Sequence, residues 1–355
     1  CEGPFPGARS SGRICSDMTG FSTITAFEHA LADLPAADPK AQAAARARQA
    51  ELTKPAGSLG RLEEIAVFFA GWQKQERPRI DTARAVVFAG NHGVTAQGVS
   101  AFPASVTAQM VSNFESGGAA INALTRSAGL DLHVVPIDLD RPTQDFSLAP
   151  AMSVDECLSA LSIGAAQVDA NLDMIVLGEM GIGNSTAAAA LCARSFGEAA
   201  AAWTGPGTGV DGAGVQRKIA VIDRALALHG KVPRSAFETL RHVGGREIAA
   251  MAGAMLRARQ LGVPVILDGF ICCAALAPLA VDNPAITDHC IAGHCSAEPG
   301  HARLLDRLGL DPLLSLGMRL GEGSGAVVAT HIVRSALAAH AEMATFAEAF
   351  VSDRQ

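Results

Sequence analysis

The spacing of apolar side chains divides the chain near residue 80. Before that point the pattern is helical. The stretch AQAAARARQAELT (41–53) is rich in strong helix formers. SLGRLEEIAVFFAGWQKQ (58–75) sets Leu62, Ile65, Phe69 and Trp72 on one stripe at helical spacing. Beyond residue 80, short continuous apolar runs take over: ARAVVFAG (83–90), DLHVVPIDL (131–139), LDMIVLGE (172–179), VPVILDGF (263–270) and DHCIAGHC (288–295). Each is bounded by Gly, Asp or Pro. Such runs predict parallel strands buried on both faces. Helical stretches alternate with them. VQRKIAVIDRALALHG places Val215, Ile219, Ile222 and Leu226 on one face, and GGREIAAMAGAMLRARQLG stops at Gly262 just before Pro264. Strand–helix alternation of this kind predicts an open, mostly parallel α/β sheet flanked by helices. The final helical stretch, AVVATHIVRSALAAHAEM, is expected to rejoin the N-terminal helices as a small helical domain. Residues 141–157 read as a loop.

Composition narrows the function. The chain has 355 residues, 49% apolar and 18% charged, which suits a sizeable core and excludes wholesale disorder. A net charge of −7 argues against a general nucleic-acid binder, and the lack of tyrosine argues against base-stacking platforms. No apolar run reaches bilayer length, so no membrane partner is expected. The eight cysteines form no CxxC pair, the pattern of reduced thiols in a cytoplasmic protein. Residues 1–17 lack the apolar core of a secretory signal. They read as a disordered leader, with Met18 as the natural start.

Glycine clusters mark the candidate site. AGNHGVTAQG follows the first predicted strand, GEMGIGNST follows the third, and GEGSG lies late in the chain. Ligands of open α/β sheets sit beyond the carboxyl ends of the strands, so this coincidence predicts one shared pocket. GEMGIGNST has the form of a strand, a glycine turn and a helix start, which suits an anion. Gly178 and Gly183 have Walker-A spacing, but Asn184 stands where that motif needs lysine. The dinucleotide fingerprint also fails, because Thr186 occupies its third glycine position. A monophosphate site remains, or else a tight connection capped by Ser185 or Thr186. In TGPGTGVDGAGVQRK, Lys218 either reaches a phosphate or lies on a solvated helix face with Arg217. Asn91, His92 and Gln97 are groups that orient a small heteroaromatic or cap their own loop. Glu322, between two glycines, either caps the next helix or acts as a general base whose proton affinity is raised by neighbours such as Met318 and Leu320. His289, Cys290, His294, Cys295 and His301 are close in sequence but show neither zinc-finger nor catalytic-zinc spacing, so no metal is expected.

Eight stretches in order, LTKPAGSLGRLE, GNHGVTAQGVSAFP, GEMGIGNST, TGPGTGVD, HVGGREIAAMAGA, VPVILDGF, AGHCSAEPGH and GMRLGEGSGA, resemble the nicotinate-nucleotide–dimethylbenzimidazole phosphoribosyltransferase family. The resemblance implies transfer of the 5-phosphoribosyl group of nicotinate mononucleotide to 5,6-dimethylbenzimidazole, giving α-ribazole 5′-phosphate and nicotinate for cobalamin assembly. It implies a Rossmann-like catalytic domain (81–326), a small helical domain from both chain ends (18–80 and 327–355), a homodimer, and no cofactor. It carries the catalytic base onto Glu322. It carries the nucleotide site onto Gly181, Gly183, Asn184, Lys218 and Ser296, with Glu179 as a ribose or secondary contact. Met318 and Leu320 become candidate walls of the base slot, with Asn91, His92 and Gln97 on its other side. Two rivals are an oxidoreductase on a similar sheet and a non-catalytic nucleotide binder. The missing dinucleotide fingerprint counts against the first, and release of nicotinate separates the family's activity from the second.

Overall fold

The computed structural model describes residues 20–352, so the expected leader and start at Met18 lie outside the described residues. Three helices open the chain: α1 (Ile24–Ala32), α2 (Pro39–Glu51) and α3 (Arg61–Gln73). Strand β1 (Ala83–Ala89) leads through a 3-10 turn (Gly93–Gln97) to α4 (Ser105–Glu115) and α5 (Ala120–Ala128). Strand β2 (Asp131–Pro136) precedes α6 (Val154–Ala165), and β3 (Met174–Met180) precedes α7 (Asn184–Phe196). Three helices follow: α8 (Gly212–Leu228), α9 (Ala236–Val243) and α10 (Arg246–Leu261). Then come β4 (Val265–Leu267), α11 (Phe270–Asp282), β5 (Cys290–His294), α12 (Pro299–Leu308) and β6 (Pro312–Leu314). Helices α13 (Ser324–Glu342) and α14 (Phe346–Ala349) close the chain.

The strands form one sheet in the order β2-β1-β3-β4-β5-β6, and every pairing is parallel. Side chains of the inner strands alternate between two apolar layers. Val86, Phe88, Ile175, Leu177, Val265 and Leu267 face the layer that contains α6, α7, α10 and α11. Ala85, Val87, Met174, Val176 and Ile266 face the layer that contains α3, α5 and α13. Burial on both faces is why these strands read as unbroken apolar runs. On the first face α6 and α10 touch backbone to backbone. A side chain at Gly164 would strike the Ala250 carbonyl, and one at Gly253 the Leu161 carbonyl. The chain ends also meet. Arg48 of α2 donates to the carbonyls of His340, Ala341 and Met343 at 2.8–3.0 Å, and Leu52 bridges Thr345.

Five of the six strands lie where the apolar runs placed them. The fifth is shorter than its run, because residues 284–289 form a 3-10 turn before Cys290. Strand β2 is the sheet edge and only half-buried, not enclosed on both faces as expected. The segment read as a loop over 141–157 becomes helical at Val154. Ser153 caps that helix and Glu156 returns a bond to the Ser153 N–H, a reciprocal pair that the sequence SVDE encodes.

Candidate active site

The chain steps from β1 outward to β2, then returns across β1 to β3, so the direction of strand addition reverses between β1 and β3. A crevice is expected beyond the carboxyl ends at such a point. A cleft of about 830 Å³, solvent included, lies there. Its walls come from Val99 and Ser100 after β1, Glu179 to Ser185 after β3, and Gly269 to Ile271 after β4. They continue with His294, Ser296 and Glu298 around β5, Pro206 to Thr208, and Arg319 to Gly321.

The floor is the glycine turn from β3 into α7. Gly183 has φ +97°, and a side chain there would meet Thr95 and the His92 Cβ. No side chain caps α7. The Asn184 and Thr186 N–H groups bond the Gly181 and Gly183 carbonyls at 3.2 and 3.0 Å, and the helix starts on the cleft wall, where the positive end of its dipole favours an anion. Beneath this turn His92 and Glu247 form a fully buried pair at 2.6 Å.

A cation stands behind the same turn. Lys218 Nζ donates to Ser185 Oγ at 3.0 Å and to the Gly205 carbonyl at 2.9 Å. Both partners are neutral. Burial pulls the lysine down to about 8, against a smaller opposing pull from Glu298. Arg319 lines the cleft mouth and donates to the Gly207 carbonyl at 3.4 Å. Across from it, burial raises the proton affinity of Glu298, while Lys218 and Arg319 pull it back.

Carboxylates form the opposite side. Burial pushes Glu179 up to about 8, helped by the negative charges of Asp268, Glu247 and Glu322, although Asn184 donates a hydrogen bond to it. Glu322 is 5% exposed and is also raised, first by burial. Its Oε2 accepts from the Ile121 N–H at the start of α5 at 3.4 Å, which opposes the rise. Gly321 lies against the Glu179 carboxylate, and Gly178 lies against the Glu322 backbone. Glu322 does not itself line the cleft: it follows the rim residue Gly321 and its carboxylate faces the start of α5, near enough for its charge to raise Glu179.

A model of a phosphoribosyltransferase family matches residues 34–351. The chain is 67% identical to the nicotinate-nucleotide–dimethylbenzimidazole phosphoribosyltransferase of Novosphingobium aromaticivorans over 336 residues, covering 95% of this chain and 99% of that protein. It is 57% identical to the enzyme of the same name from Ruegeria pomeroyi, with the same coverage. This chain belongs to the nicotinate-nucleotide–dimethylbenzimidazole phosphoribosyltransferase family. A crystal structure of CobT from Thermus thermophilus superposes with a TM-score of 0.83 at 39% identity, over 88% of this chain and 99% of that one.

The fold brings many of the sequence candidates of this phosphoribosyltransferase family member into the one cleft. Glu179, Gly181, Gly183, Asn184, Ser296 and Leu320 line it. Lys218 backs it through Ser185, and Glu322 follows its rim residue Gly321. Three others are engaged elsewhere. His92 is held by Glu247, and Asn91 Nδ2 donates to the Leu139 carbonyl at 2.9 Å. Gln97 bonds Asp145 and Arg224, tying the 93–97 turn to the 145–147 loop and to α8. Met318 is half-buried, and its carbonyl accepts from Ala297. Sequence reasoning weighed His294 only as a metal ligand and named no role for Asp268, Glu247, Glu298 or Arg319. The run VPVILDGF ends an apolar strand on an acid at the sheet's carboxyl edge, which was the available signal for Asp268.

Proposed function

We propose that this chain transfers the 5-phosphoribosyl group of nicotinate mononucleotide to 5,6-dimethylbenzimidazole, yielding α-ribazole 5′-phosphate and nicotinate, in cobalamin nucleotide-loop assembly. The observation that carries the reading is the pairing of a cleft-lining glycine-turn helix, backed by Lys218, with two buried acids, Glu179 on the cleft wall and Glu322 next to its rim at Gly321. The first is an anion subsite; in the second Glu322 accepts the proton, while Glu179, pushed up to about 8, keeps its own at neutral pH.

The nicotinate nitrogen is quaternary in the donor and neutral after departure, so the leaving group needs no general acid. The acceptor has the opposite requirement. One ring nitrogen attacks the anomeric carbon while the other still carries a proton. Glu322 takes that proton as the bond forms, a contribution on the order of 10²- to 10⁴-fold. Gly181, Gly183 and Asn184 hold the phosphate at the α7 start, with Lys218 and Ser296 beside it. Glu179 meets the ribose. Asn91, His92 and Gln97 shape the wall beyond β1, and Met318 and Leu320 border the base slot. Fixing both substrates in line supplies much of the remaining acceleration.

The reading extends to organisation. A small helical domain from both chain ends is supported by the Arg48 bonds and the Leu52–Thr345 bridge. A homodimer is supported by exposed Phe102, Leu316 and Leu320 on loops near the cleft. A cytoplasmic location is supported by the free cysteines among the described residues, most of them buried. No helix among the described residues is long and apolar enough to cross a membrane. The test is to mix nicotinate mononucleotide with dimethylbenzimidazole and look by mass spectrometry for nicotinate and the new nucleotide. Binding of both substrates without nicotinate release would refute it.

A further inference from the structure

Glu322 occupies a backbone conformation that its side chain disfavours. Its φ is +63°, in the left-handed region, where non-glycine residues are uncommon. Gly321 and Gly323 on either side also have positive φ, at +85° and +84°. Three consecutive left-handed residues persist only where surrounding structure fixes them. The fixing group is Asp268, which follows β4 and is 1% exposed. Its Oδ2 accepts from the Gly323 N–H at 3.1 Å, and its Oδ1 from the Gly325 and Ala326 N–H groups at 2.7 and 3.0 Å. The Ser324 N–H closes on the Gly321 carbonyl at 3.0 Å. The N-terminus of α13 is therefore saturated by one carboxylate, whereas that of α7 has no side-chain cap. His294, on the cleft wall, approaches the same Asp268 oxygen at 3.4 Å.

We propose that Asp268 is a positioning residue for the transfer reaction: it locks the strained 321–323 turn so that Glu322 is held directly behind the cleft rim at Gly321, its carboxylate against the start of α5. The inference rests on the reading of Glu322 as the base. Asp268 touches neither substrate in this scheme and acts through the turn. It also acts through its charge. The titratable groups around the turn are Glu179 from β3, Asp268 after β4 and His294 from β5, while α5 contributes the Ile121 N–H. The negative charge of Asp268 makes Glu322 harder to ionise, in the same direction as burial.

The test is a double-mutant cycle with pH profiles, using the full chain. Asp268→Asn keeps the size and one acceptor but turns a donor toward the Gly323 N–H. We expect kcat to fall roughly 10- to 100-fold, the size of one lost charge-assisted bond, with the KM for nicotinate mononucleotide within about twofold. The acidic limb of kcat should move to lower pH, because Glu322 loses a like charge. In a Glu322→Gln background the same change should cost less than about threefold, since both act through one group. Asp268→Glu keeps the charge but overreaches the turn. It should lower kcat and leave the acidic limb in place, and it carries the cycle if Asp268→Asn does not fold. A full further loss in the Glu322→Gln background, or an unmoved limb with wild-type kcat per folded molecule, would overturn the positioning role. A wild-type rate for Glu322→Gln alone would instead overturn the assignment of the base.

Discussion

Replacing Lys218 with alanine isolates the anion subsite. In the free protein the ammonium is buried with two neutral acceptors, Ser185 Oγ and the Gly205 carbonyl. The charge of Glu298 reaches it without forming an ion pair, so a bound anion would be its direct charged partner. A hydrogen bond to a charged group contributes about 1.5–3 kcal/mol. At ~1.4 kcal/mol per decade, Lys218→Ala should raise the KM for nicotinate mononucleotide roughly 10- to 150-fold and change kcat far less. The pH dependence has a definite sign. Burial pulls the lysine down to about 8, so the free enzyme loses this charge as pH rises through that value. The wild-type KM should therefore climb above pH 8, and the variant should lack that climb. Nicotinate release, followed at varied nucleotide concentration from pH 6.5 to 9.5, measures both effects. An unchanged KM at pH 7, or the same climb in the variant, would remove Lys218 from the phosphate site.

Three further outcomes are expected. Glu322→Gln keeps an acceptor for the Ile121 N–H, and should lower kcat about 10²- to 10⁴-fold with nucleotide affinity nearly intact; steady-state kinetics with calorimetry checks it, and a wild-type rate across the pH range contradicts it. Glu179 is held up at about 8, so the native state retains a proton that the unfolded chain releases near its ordinary value of 4.5. Its contribution to stability is present at low pH and is lost as pH rises through 8, so Glu179→Gln should raise the melting temperature at pH 8.5 more than at pH 5. Gly183→Ala combines a φ of +97° with contact against Thr95 and His92, and should cost about 1–3 kcal/mol in denaturant unfolding and weaken phosphate binding; unchanged unfolding and affinity would show the turn relaxes freely.

The legible part of this fold is the part with uniform burial. Inner strands such as Met174–Met180 present apolar side chains to both layers, so the run itself reveals them. Strand β6 is three residues long and begins at Pro312, too short for any run. Helix α11 is apolar on every side, FICCAALAPLA, and so shows no helical period. In the site, glycine turns were visible because their composition is unusual. Asp268 was not, because its work depends on N–H groups 55 to 58 residues away along the chain. The polar trio Asn91, His92 and Gln97 illustrates the converse. Residue type showed that they bond something, but not that Glu247, Leu139, Asp145 and Arg224 are the partners.

The close approach of α6 and α10 at Gly164 and Gly253 bears on how this family member can vary. Two helices whose main chains abut have no intervening side chains to shrink or rotate, so neither can slide without losing the other. Since α10 begins at Arg246 and its second residue is Glu247, the brace under the glycine turn before α7 inherits that rigidity. Room for change in the cleft is then greater on the opposite bank, where Arg319, Leu320 and residues 206–208 are exposed or half-exposed.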